Sequence, residues 1–444
     1  MSTFIQRTLP DGLILRQATP DDAQALSDFN AIMHSDDGPD RPDEYIRAWT
    51  IDLLTQPHPT FKPGDFLIVE DTNSGNIVSA LCTVSQTWMY EGISFGVGRP
   101  ELVATHPDYR RKGLIRAQME IVHQWSAERG EMIQVISGIP WYYKQFGYEM
   151  ALDLSGGRTA FVPNIPKLKE GENEPFQFRP ATETDISTII EAYAHTGKLH
   201  AITCQRDEAM WLYELSGRHA DNQVRIQIQI VETPEGEPVG YVGHAPRLWG
   251  TVFAVNFMGI KPGVSWLDIV PPVMRFAQKM GESYAAQKEG GKWEAVYFTL
   301  GSAHPMYDLF PNVLPGVRPP YAWYVRIPDI TGFLRHIAPA LERRLAESYL
   351  AGYSGKLGLN FYRTGTQLTF EQGKITGVES WQPSPDAGGD VRFPDLTFSQ
   401  LLCGRKSFAE LDAFFADCFA HKDEARALVE VLFPKKPADV WGIV

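Results

Sequence analysis

One pattern of apolar and polar positions occurs twice along the chain. "LRQATPDDAQAL" (15–26) and "FRPATETDISTI" (178–189) each carry a strand-like apolar run to an arginine, Arg16 or Arg179. An Ala-Thr pair follows, then an acid three positions past the threonine (Asp22, Asp185), then an apolar helical stripe. Thr19 suits an N-cap, Pro20 the first helical position and Asp22 the capping partner, while Thr182 and Asp185 repeat the arrangement without the proline. Leu26, Phe29 and Met33 continue one helical face. A second echo, Tyr143-Lys-Gln-Phe146 against Tyr307-Asp-Leu-Phe310, falls near the end of each unit. The pattern predicts a duplicated strand–helix unit. "VPNIPKLKEGENEP" (162–175), rich in proline and charge and without a period, reads as the linker between the copies.

From about Pro328 the pattern changes. Leu334, Ile337, Leu341 and Leu345 predict one amphipathic helix, with Glu342, Arg343 and Arg344 on other faces. Alternating Leu357, Leu359 and Phe361, then Leu368 and Phe370, then Ile375 and Val378, predict a β-meander turning at Thr364-Gly365 and Gln372-Gly373. Two helices, about 407–418 and 422–432, complete a compact α+β unit.

Within the first copy, "SFGVGRPELVATHP" (94–107) predicts a strand and its exit. Ile115, Met119 and Val122, widened by Leu114, Ile121 and Trp125, predict a buried-face helix of about four turns. Arg110, Arg111, Lys112 and Gly113 fall at that helix's N-terminus, with Arg116 just inside it. Free N–H groups and the positive end of the dipole make such a place an anion site, and cations there oppose the dipole unless an anion offsets them. A diphosphate uses the amides, the glycine and the forked arginines together.

Bulk properties narrow the choice. A chain of 444 residues implies two or three domains. With 41 basic against 54 acidic side chains, net −13, the charge opposes general nucleic-acid binding and suits solubility or the attraction of cationic substrates. Cys82, Cys204, Cys403 and Cys418 form no CxxC pair, so a disulfide framework or zinc site is not expected and a reducing cytoplasm fits. The chain shows no signal-peptide core and no bilayer-length apolar run, so a cytoplasmic protein without membrane insertion is expected. No GxxxxGK[ST], no HExxH and no ligand-spaced histidines are present, so no metal is expected.

"PDYRRKGL" (107–114) resembles the coenzyme-binding motif of the GNAT superfamily of N-acetyltransferases, Q/R-x-x-G-x-G/A: Arg110 and Gly113 match, and Ile115 departs where Gly or Ala is usual. "SGIPWYYKQFGYEMAL" (137–152) is similar to the stretch that places a tyrosine beside the coenzyme sulfur, with Tyr143 at that position. The full chain, including "RIPDITGFLRHIAPALERRLAESYLAGYSGKLGLNFY" and the C-terminal "LLCGRKSFAELDAFF", resembles the enhanced-intracellular-survival acetyltransferases. That resemblance implies an α+β protein of two tandem GNAT-like domains (1–160 and 161–327) and a sterol-carrier-protein-like domain (328–444).

It further implies acetyl-CoA as cosubstrate. Val103, Ala104 and Thr105 would hold the pantetheine arm and thioester, together with Ser137. Arg110, Arg111, Lys112, Gly113 and Leu114 would hold the diphosphate. Tyr143 would be the general acid and the Val444 carboxylate the general base. The expected acceptor is a primary amine of an aminoglycoside-like or polyamine-like cation, and the expected assembly a homo-oligomer, possibly a hexamer. Lysine acetylation of proteins, and a lipid or sterol carrier with a vestigial first domain, stay open. Asp28, Asp36, Asp37 and Glu101 are assigned no role. The second copy's "VNFMGIKPGVSWLDIV" (255–270) has no arginine, so coenzyme is expected in the first copy alone.

Overall fold

The computed structural model describes residues 6–384 and 388–442. The first part of the chain forms β1 (Gln6–Leu9), β2 (Leu13–Gln17), α1 (Ala23–Met33), α2 (Glu44–Thr55), β3 (Phe66–Asp71), β4 (Asn76–Tyr90), β5 (Ile93–Thr105), α3 (Leu114–Glu128), β6 (Glu131–Ile136) and β7 (Glu149–Leu154). The second part forms β8 (Gly157–Phe161), β9 (Gln177–Pro180), α4 (Ile186–Gly197), β10 (Ile202–Cys204), α5 (Glu208–Ser216), β11 (Gln227–Glu232), β12 (Pro238–His244), β13 (Val252–Ile260), α6 (Trp266–Ala286), β14 (Ala295–Phe298), α7 (Pro305–Leu309), β15 (Gly316–Arg318) and β16 (Tyr321–Arg326).

The two copies are built alike. The first sheet runs β1-β2-β3-β4-β5-β6-β16-β7, with β10 added on β4, and the second runs β15-β8-β14-β13-β12-β11-β9. Each is antiparallel except for one parallel pair, β5 with β6 and β13 with β14. Each parallel pair has an antiparallel strand beside it: β16 next to β6, and β8 next to β14. β16 joins the first sheet from the second part of the chain, while β8, which directly follows β7, joins the second sheet. Alternation of apolar residues marks both segments as strands but carries no information about which sheet receives them.

The repeated sequence motif is a repeated ion-pair cap. Arg16 grips Asp22 with two guanidinium nitrogens (2.7 and 2.9 Å) and reaches Glu70. Arg179 grips Asp185 at 2.8 Å through each nitrogen and reaches Glu232. In both copies the carboxylate also accepts the threonine N–H, Thr19 or Thr182, at 2.8 Å. The acid thus joins the strand's arginine to the start of the helix.

The last part forms α8 (Ile330–His336), α9 (Ala338–Ala346), β17 (Gly355–Asn360), β18 (Gly365–Glu371), β19 (Lys374–Trp381), β20 (Val391–Arg392), α10 (Phe398–Leu402), α11 (Phe408–Phe414), β21 (Phe419–Ala420) and α12 (Asp423–Leu432). The meander appears as expected. The single helix over 334–345 does not: Pro339 lacks an N–H and its ring crowds the carbonyl four residues back, so the helix breaks at Ile337 into α8 and α9. Leu334, Ile337, Leu341 and Leu345 are buried all the same, in a core shared with Trp88, Phe95 and Trp323 of the first sheet.

The chain then returns to the second part. Pro437 O accepts Ala201 N–H (2.8 Å), Trp441 stacks on Phe257 of β13 (centroids 3.3 Å apart), and buried Arg206 lies over the Trp441 ring while donating to its carbonyl at 2.8 Å.

The Arg179 grip holds the Asp185 carboxyl down at about 2, against 3.8 in an unfolded chain. Asp185→Asn is expected to lower stability by about 1–2 kcal/mol at pH 7. A depressed carboxylate stabilises fully above its unfolded value, so the gap between variant and wild type should close as pH falls from about 4 towards 2. Urea unfolding across that range checks both parts.

Candidate active site

Strands β5 and β6 are paired only from Gly96 to Gly98, against Glu131 to Gln134. Glycine is required there: a Cβ at Gly98 would stand 2.1 Å from Ser126 Oγ and 2.3 Å from Glu131 Oε2. Glu131 fastens this end by accepting the hydroxyls of Ser85 and Ser126. Beyond Gly98 the two strands separate. β5 carries a bulge, since Cys82 faces Glu101 but Ala80 faces Ala104, leaving Leu102 and Val103 opposite Leu81. Leu102 takes φ +51°. The bulge turns β5 away from β6 and leaves alternate N–H and C=O groups of its last residues without a strand neighbour on that side.

A cleft of about 890 Å³ fills the gap. Its walls include Val103, Ala104, Thr105, Arg110, Arg111, Gly113, Leu114, Ser137 and Tyr143, nearly every residue that the sequence pattern and resemblance singled out. Lys112 is apart from them. Its ammonium pairs with Asp11 at 2.9 Å and lies over the Tyr109 ring, on the side of the β1–β2 turn. Val444 lies outside the described residues. The described tail ends at Gly442, close against Gln86 of β4.

Helix α3 aims its N-terminus into the cleft. Buried Ser79 bonds the Ala104 carbonyl (2.9 Å) and Gln118 (3.0 Å), which fixes the helix to the bulged strand. The first helical bond is Ala117 N–H to Gly113 O, so the helix leaves the N–H groups of Leu114, Ile115 and Arg116 unspent. Gly113 caps the helix at φ +78°, and no protein atom lies within 4 Å of where its Cβ would be, so the backbone angle and open access explain the glycine. Arg111 also adopts a left-handed φ, +65°. Ile115, at the motif's third position, is helical and faces the cleft, where the backbone makes no demand for glycine.

Tyr143 forms the other wall, in the short turn Tyr142–Phe146 that left-handed Trp141 and Gly147 bracket. Its ring packs edge-on to Tyr142 and Tyr324, and Gly138 (φ +150°) lets the chain pass where a Cβ would be 3.1 Å from it. Burial, with the negative charge of Glu101 next, pushes the phenol well above its ordinary value, so it holds its proton. The exchanged strand β16 supports this turn. Tyr321 OH donates to Gly138 O at 2.9 Å and Tyr324 OH to Ile139 O at 3.3 Å.

Among the wall residues to which the sequence assigns no role are His34, Glu101, Leu102 and Arg116. Arg116 was visible as a cation in the basic stretch; it bonds Gln145 at 3.0 Å and stacks on Phe146. Glu101 and Leu102 come in with the bulge, which has no local sequence sign. Nearby, Asp36, Asp37, Asp52 and Asp221 border a trough of about 1340 Å³ with exposed Trp249. Asp28 pairs with Arg47.

Residues 16–151 match the family model described as an acetyltransferase (GNAT) domain. No curated protein matches the chain. A GCN5-related N-acetyltransferase from Anabaena variabilis superposes with TM-score 0.65 at 15% identity, covering 97% of this chain and 100% of that one. A probable N-acyltransferase of unknown function from Enterococcus faecalis gives 0.64 at 16%, covering 96% and 97%. Eis1 from Mycobacterium abscessus gives 0.54 at 13%, covering 95% and 98%. At such identities the likeness is one of fold, and it extends along nearly the whole chain.

Gly113→Ala should lower stability by about 1–2 kcal/mol, the cost of a Cβ in the left-handed region. Chemical denaturation measures it, and a value near zero would mean the cap can relax to another backbone angle.

Proposed function

We propose that the chain transfers an acetyl group directly from acetyl-CoA to a primary amine of a cationic small molecule, aminoglycoside-like or polyamine-like. The observation that carries this reading is the pairing, across one cleft, of unspent helix amides with a buried, protonated phenol. The residues present suit the coenzyme: the open N–H groups at α3, flanked by Arg110 and Arg111 and approachable over Gly113, match a diphosphate. Bound there, acetyl-CoA supplies the activated thioester.

The chain's own groups supply the rest. Unpaired backbone groups over Val103–Thr105 would hold the pantetheine amides, and an N–H there would polarise the thioester carbonyl. Ser137, at the exit of β6, would border the same arm. Tyr143 would give its proton to the departing sulfur. Acids along the adjoining trough, with the net charge of −13, suit a polycationic acceptor.

We read the chain as two GNAT-like repeats with a third, sterol-carrier-like unit as scaffold, assembled as a homo-oligomer. Free thiol released on mixing acetyl-CoA with spermidine or kanamycin, with the acetylated amine seen by mass spectrometry, is the expected result. Acetylation confined to added proteins would favour the lysine reading. No thiol release together with fatty-acid binding would favour the carrier.

Two variants sharpen the assignment. Tyr143→Phe should lower kcat by about 10²-fold or more without raising KM for acetyl-CoA. Arg111→Gly relieves a left-handed side chain yet removes a phosphate donor. It should leave thermal stability equal or higher while weakening coenzyme A binding about tenfold by calorimetry.

A further inference from the structure

His34 caps the C-terminal end of α1 and stands in the wall of the cleft with Glu101, Leu102 and Tyr143. Nothing in the chemistry above uses it. Its ring lies beside the backbone of Leu102, the left-handed residue of the bulge. Its Nε2 is buried and without a hydrogen-bond partner among the described residues. A buried polar atom left unpaired is destabilising, and packing alone gives no reason to retain it.

The neighbouring carboxylate is already engaged. Glu101 Oε1 accepts from Arg99 Nε at 2.6 Å, and that guanidinium lies over the Trp323 ring at 4.7 Å. Its oxygen is occupied by that pairing, whereas a neutral imidazole nitrogen without a partner is free to accept a proton.

We propose that His34 is the general base of the transfer, accepting a proton from the acceptor's ammonium group in the cleft. This rests on the acetyl-transfer reading. One N–H bond of the ammonium breaks and its proton passes to the imidazole. The freed lone pair forms the C–N bond at the thioester carbonyl carbon. The C–S bond breaks, its electron pair goes to sulfur, and sulfur takes the Tyr143 proton. The surplus proton on the new amide nitrogen restores the phenol, and the imidazolium releases its proton to solvent, so each turnover frees one proton.

The charged groups that face the ring are Glu101 from β5 and Asp43 at the start of α2. Both favour the imidazolium, but burial outweighs them and holds the ring's titration below its ordinary 6.5. The base is therefore ready at neutral pH and is lost only under acid conditions.

His34→Asn and His34→Gln keep a polar side chain beside Leu102 but have no basic nitrogen. With acetyl-CoA and spermidine, each should lower kcat about 10²- to 10³-fold at pH 7, with coenzyme A binding by calorimetry unchanged. The acid limb of the pH–rate profile should disappear, and the deficit should shrink as pH rises towards the amine's own pKa. Imidazole added to His34→Ala should restore part of the rate.

In the wild-type protein, the His34 ring signals in NMR should titrate below pH 6.5 and shift when spermidine is added. Variants with wild-type kcat and an intact acid limb would overturn the assignment, as would weakened coenzyme binding with kcat preserved. Should the variants fail to fold, ring signals indifferent to spermidine overturn it alone. A wild-type chain that acetylates no amine overturns this inference and the acetyl-transfer reading together. An active wild type with unimpaired variants overturns His34 only.

Discussion

The site depends on one constraint, the parting of two parallel strands that are locked at one end. Between Gly96 and Gly98 β5 pairs with β6, Ser126 Oγ and the Glu131 carboxylate fill the space beside Gly98, and Glu131 ties that end with two hydroxyls. At the far end the Leu102 bulge directs β5 away. A sheet that stayed paired would spend its backbone groups internally. The parted strand keeps several turned towards the gap, and they belong to the strand that leads straight into the helix with open amides. The anion site, the strand edge and the phenol wall are thus one consequence of where pairing stops.

Keeping that gap open requires material from elsewhere in the chain. β16 arrives from some 190 residues further on, pairs with β6 and brings Tyr321 and Tyr324 to carry the loop before Tyr143. The third part of the chain buries Leu334 and Leu341 in the same core as Trp88 and Trp323, so it braces the sheet from the other face. The residues proposed to hold the coenzyme lie between Val103 and Tyr143, yet the rigidity that such a site needs is distributed over all three parts.

The features legible in the sequence were those with local causes. The Thr–Asp caps, α3, the basic turn and the meander each follow from residues within about ten positions of one another. Strand exchange, the bulge and the wall residues His34 and Glu101 were not legible, because each depends on a partner distant in sequence. Lys112 shows what a motif leaves open: it sits in the basic stretch of the chain but pairs with Asp11 in space. Pro339 shows the converse, a local signal whose helix break was overlooked because the apolar stripe continues through it.

The difference between the two copies follows from the same geometry. β13 pairs with β14 only from Val252 to Val255 and runs on to Ile260, so this pair also separates. There the chain's own tail enters. Trp441 lies flat on Phe257 of the extended strand, Ala438 O comes near Gly301 just past β14, and Asp439 acts on Tyr307, the counterpart of Tyr143. Buried Arg206, bonded to Glu214 at 2.6 Å and to the Trp441 carbonyl, fastens the tail. In the first copy the parting of the strands is open and lined by a basic helix start. In the second it is packed with aromatic side chains, and that packing holds the C-terminal segment between the two sheets. One duplicated strand geometry thus serves as a cleft in one copy and as an anchor in the other.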